Sequence, residues 1–82
     1  MPLPFKSISL AQLPAGQNAT ILTFTGGRNV TNRLTSLGFT PGVIVQMTQN
    51  LGHGPLIVTV RGSQVALGRG EAQKIFVNQG YG

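Results

Sequence analysis

Asn32-Arg33-Leu34-Thr35-Ser36-Leu37-Gly38-Phe39-Thr40-Pro41-Gly42 takes the chain out of a helix and into a strand within eleven residues. Upstream, Val30, Leu34 and Leu37 recur at helical spacing, which predicts one helix over 28–37 with those three side chains turned inward. Gly38 stands where a left-handed residue stops a helix, because it pays no Cβ penalty there. Pro41-Gly42 then forms a turn. Val43, Val45 and Met47 follow, alternating with Ile44, Gln46 and Thr48 as a half-buried strand does.

The same period of two continues outward. Leu56, Val58 and Val60 alternate with Ile57, Thr59 and Arg61, and Arg61-Gly62-Ser63 makes a tight turn into a strand over 64–67. A last short strand is expected over 75–77, after a turn or 3₁₀ segment over 68–72. Toward the N-terminus, 20–25 is rich in β-formers and closes at Gly26-Gly27. Its inward face is left open, because Ala19 and Ile21 compete with Leu22 and Phe24 and only a bulge would reconcile them. Ser9-Leu10-Ala11-Gln12 fits a capping box, cut short by Pro14 and Gly16. Between the two central strands lies a Gly-rich loop, 50–55, holding the only His. Residues 79–82 read as a frayed polar tail. Five short strands and one helix in 82 residues predict an all-β fold with a capping helix, a small SH3-like barrel in one domain.

Composition narrows the chemistry. The chain has six Lys and Arg, one acid, Glu71, and no Cys or Asp. A serine–histidine–carboxylate triad would have only Glu71 to call on, paired carboxylates are impossible, and there is no phosphate-binding loop motif. These shortages argue against an enzyme. His53, Glu71 and two Met thioethers are too few donors for a metal site, so no cofactor or metal is expected and His53 reads as a solvated loop residue. A net charge of +5 predicts attraction to a negative partner. The aromatic residues are scattered and form no stacking platform, so specific nucleic-acid binding is the weaker alternative. No stretch approaches a membrane span or a signal peptide, which points to the cytosol.

On the helix, about 100° per residue puts Arg33 at the flank of the buried stripe and Arg28 on the far side. Arg33 is therefore expected to pack its stem and Arg28 to be solvated. Ile44 and Ile57 face away from their strands' inward sides and are expected to pack beneath the helix or a terminus; left exposed, with Phe39 and Leu51, they would make a docking patch.

The segment from Arg33 to Gly42 resembles the R-L-x-x-L-G-φ-x-P-G pattern of the FeoA family, φ being apolar. Leu10-x-x-Leu13-x-x-Gly16, Asn50-Leu51-Gly52-His53-Gly54-Pro55-Leu56, and Val65-Ala66-Leu67 with Glu71-Ala72 and Ile75-Phe76-Val77 are similar to its opening turn, middle loop and closing segment. The likeness runs over about 7–78. It implies an SH3-like, cytosolic, non-catalytic accessory of bacterial ferrous-iron uptake that binds the cytosolic part of the FeoB-type membrane transporter. The family's barrel also occurs appended to metal-dependent repressors, which keeps a role in transcriptional regulation as the alternative. The partner-facing residues expected on this basis are Arg28, Phe39, Leu51, His53 and Arg69, in a monomer or a small homo-oligomer.

Overall fold

A computed structural model describes residues 6–79. Six strands follow in chain order: β1 (Lys6–Ser9), β2 (Asn18–Phe24), β3 (Ile44–Gln49), β4 (Leu56–Val60), β5 (Ser63–Leu67) and β6 (Ile75–Gln79). A 3₁₀ turn at Leu10–Gln12 follows β1, the helix α1 (Arg28–Ser36) lies between β2 and β3, and a single helical turn, α2 (Arg69–Ala72), precedes β6. All pairings are antiparallel, in the order β1-β6-β2-β3-β4-β5. This is the mostly-strand, SH3-like architecture expected, with one strand more than five. The added strand, β1, has a single apolar residue, Ile8. It exists because β6 offers it a partner, Ile8 opposite Val77.

The sheet curls around one apolar interior. Val45 and Met47 from β3, Leu56, Val58 and Val60 from β4, and Ile75 and Val77 from β6 all point inward and are buried. Leu10 and Leu13 close one side. The ambiguity in β2 is settled by a register shift against β6 between Ile21 and Thr23. Ala19 and Ile21 are buried before the shift, Leu22 is exposed, and Phe24 is half-buried against the core after it. The bulge lets one strand change which side chains it turns inward.

At α1 the helix stops one residue early. Leu37 is the cap, 38% exposed, and not part of the buried stripe. Gly38, at φ 101°, reverses the backbone so that the Phe39 N–H donates to the Leu34 carbonyl at 3.0 Å. Phe39 thereby swings under the helix and is wholly buried beside Leu34. Its expected place on a docking surface is corrected here: the turn that ends the helix puts the ring in the core. Ile44 is corrected in the other direction. As the first residue of β3 it faces away from Val45 and Met47, and it is 65% exposed with no helix over it. Ile57 is half-buried. Gln79, expected in the frayed tail, instead pairs with Lys6 and Ala19, and its side chain donates to Gln17 Oε1 at 2.7 Å. Residues 80–82 lie outside the described range.

Candidate functional site

The loop between β3 and β4 is built around one amide. Asn50 donates through Nδ2 to the carbonyls of Ala11 (3.0 Å) and Leu13 (2.9 Å), on either side of the end of the 3₁₀ turn. Its Oδ1 accepts from the Gly52 N–H at 3.0 Å and from Arg69 Nη2 at 2.8 Å. Both donors and both acceptor sites of the carboxamide are thus in use. The contact with Gly52 is an Asx turn, which Gly52 completes at φ 87°.

Arg69 braces the loop from behind. Besides Asn50, its guanidinium donates to the Gly54 carbonyl through Nε and to the Ala11 carbonyl through Nη1, each at 3.3 Å. The planar fork suits this task, since three donors can address three acceptors in fixed directions. One side chain from α2 and one from the loop therefore tie three separate chain segments together. The Gln12 side chain tightens the 3₁₀ turn itself by accepting from the Ser9 N–H at 3.2 Å, the half of the capping box that holds the chain's entry.

On this braced frame stand two exposed residues. Leu51 is 67% exposed, and His53, between two glycines, is exposed as well. A leucine so exposed at the tip of a loop fixed by five hydrogen bonds is an apolar group held out toward solvent. Of the five residues expected to face a partner, Leu51, His53 and Arg69 are brought together in this loop and its brace. Arg28 is exposed on the first turn of α1, and none of the contacts within the loop reaches it. Phe39 is in the core. Asn50, the residue that organises the site, was not singled out; the Asn-x-Gly spacing of 50–52 was its visible signal.

The electrostatics are one-sided. Arg33 Nε lies 3.0 Å from Glu71 Oε2, joining α1 to α2 at the surface. Arg33 is two-thirds exposed, so the pair contributes no more than about 0–1 kcal/mol. It does, however, occupy the only acid in the chain. Among the described residues no three His, Cys, Asp or Glu side chains cluster closely enough to hold a metal ion. A shallow pocket of about 150 Å³ is lined by Asn18, Ala19, Thr20, Ile44 and Asn78. That is well below the roughly 300–1,000 Å³ of small-molecule sites.

A curled antiparallel sheet with a capping helix defines an SH3-like domain, and its braced loop holds Leu51 out toward solvent. The FeoA domain family model matches residues 8–79, and the chain belongs to that family. A Methanocaldococcus jannaschii protein whose name assigns it provisionally as Fe(2+) transport protein A is 34% identical over 68 residues, covering 83% of this chain and 82% of that protein. The crystal structure of an iron uptake regulatory protein, FeoA, superposes with a TM-score of 0.86 at 30% identity, over 90% of this chain and 99% of that one. Stenotrophomonas maltophilia FeoA, a prokaryotic SH3 domain protein crystallised with zinc, gives 0.75 at 29% identity, over 85% and 88%. A manganese-dependent transcriptional repressor shares the fold, with a TM-score of 0.82 at 20% identity, and this chain covers 44% of it. The family is one of iron-transport accessory domains and is not a known enzyme family.

Proposed function

We propose that this protein is a non-catalytic, cytoplasmic accessory of ferrous-iron uptake that binds and modulates the cytosolic part of a FeoB-type membrane transporter. The observation that carries this reading is Leu51, exposed on a loop whose shape is fixed before any partner arrives. A pre-shaped loop binds without the entropy cost of ordering it. Leu51 supplies the short-range apolar attachment, His53 and Arg28 the polar rim, and Arg69 acts from behind the loop. The +5 charge steers the domain toward an acidic surface. No helix among the described residues is long and apolar enough to cross a membrane.

The test is binding of the purified cytosolic part of the transporter, beside a titration with random-sequence DNA. Burying one leucine is worth roughly 1.5–3 kcal/mol, so Leu51→Ser should speed dissociation on the order of tenfold or more while circular dichroism shows the fold intact. Binding DNA at physiological salt while ignoring the transporter overturns the proposal in favour of a nucleic-acid or transcriptional role, which the basic charge alone supports.

A further inference from the structure

We infer that the outer edge of β5 is a second element of the docking surface, one that takes up an extended, acidic segment of the partner as an added strand. This rests on the reading of the protein as a transporter-binding domain and specifies how the contact is made.

The edge follows from the hairpin. β4 and β5 are joined by the two residues Arg61 and Gly62, at φ 52° and 80°, the signature of a type I′ turn. In such a hairpin the flanking residues, Val60 and Ser63, form a hydrogen-bonded pair, and such pairs alternate along the ladder. Val58 with Val65 and Leu56 with Leu67 are then hydrogen-bonded, whereas Gln64 and Ala66 turn their N–H and C=O away from β4. β5 ends the sheet order, and among the described residues these groups have no backbone partner on that side. Both residues are exposed.

The usual protections of an edge are missing. Ser63–Leu67 contains no charge and no Pro, and its ladder with β4 runs through five pairs without a shift, while β2–β6 and β3–β4 are each interrupted. The edge also runs toward the braced loop, because Arg69, two residues beyond Leu67, holds the Gly54 carbonyl. A strand laid along β5 would end beside the loop that displays Leu51.

Charge selects the occupant. Arg61 stands exposed at the turn end of the edge, and the chain's single acid is engaged by Arg33 on another element. A second copy of this chain would bring another +5 and no carboxylate side chain other than the one Arg33 engages. An extended segment carrying Asp or Glu meets the same edge with backbone pairing and opposite charge, the usual mode of strand addition.

Proline gives a clean test, since at an outward-facing edge position it removes the free N–H without touching the ladder with β4. Gln64→Pro and Ala66→Pro should each weaken binding of the purified cytosolic part of the transporter by roughly tenfold, by leaving a partner carbonyl unpaired. In the unsubstituted complex, amide hydrogen exchange at Gln64 and Ala66 should slow by a similar factor, and this readout carries the test if a proline variant fails to fold. Unchanged exchange at both amides, with transporter binding intact, overturns the edge and leaves the proposed function standing. No transporter binding by the unsubstituted protein overturns both. Loss of a sedimenting dimer in the proline variants would assign the edge to a second copy and overturn the acidic segment.

Discussion

Removing the Asn50 carboxamide would strand the Leu13 carbonyl, leave the Ala11 carbonyl to Arg69 alone, and release both Gly52 and one arm of Arg69. The groups are part-buried, so water replaces the lost bonds incompletely. Asn50→Ala should therefore lower stability by about 1–3 kcal/mol in urea unfolding, the cost of unpaired buried acceptors. It should also weaken transporter binding although Leu51 is untouched. Little of this could be read beforehand. The sequence draws attention to the lone His and the arginines, whose chemistry is conspicuous, while the partners of Asn50 are backbone carbonyls 37 and 39 residues earlier. A main-chain acceptor has no letter of its own. Leu51, by contrast, was legible as a loop leucine flanked by glycine, with no alternation to bury it. The burial of Phe39 is not visible in the residue itself, because it is the left-handed Gly38 that folds it back under Leu34.

Among the elements, the β4–β5 hairpin carries both a left-handed turn residue and the edge proposed to bind. Arg61 occupies a left-handed position, φ 52°, that costs an ordinary side chain roughly 1–2 kcal/mol and that Asn tolerates well. Arg61→Asn should raise stability by about 0.5–1 kcal/mol in thermal or urea unfolding, and at the same time slow association with an acidic partner by removing a charge from the open edge. A gain in both stability and association rate would show that the residue serves only the turn. β3 and β4 were evident from the alternation of their apolar residues, and β5 from the tight turn at Arg61-Gly62-Ser63 that leads into it. β1 was not, since Lys6–Ser9 carries almost no pattern and owes its strand to β6. In β2 the inward face changes at the bulge, and only the pairing with β6 fixes where.

For the molecule as a whole, five uncompensated positive charges and few others make association sensitive to ionic strength. Raising salt from about 0.05 to 0.5 M shrinks the Debye length from about 14 to 4 Å, so the association rate should fall more than the dissociation rate rises in stopped-flow or surface-binding measurements. Equal effects on both rates would place the charges within the bound contact and deny them a steering role. The same molecule has a property with a different reach. Lys6 faces Gln79 across the β1–β6 ladder, so the chain enters and leaves the described fold at one corner, with the two backbones about 5 Å apart. A fold whose doorways adjoin is portable: it can be spliced into a surface loop of a host, or hung from its end, without stretching either junction. The manganese-dependent repressor, of which this chain covers 44%, holds the same fold within a longer chain.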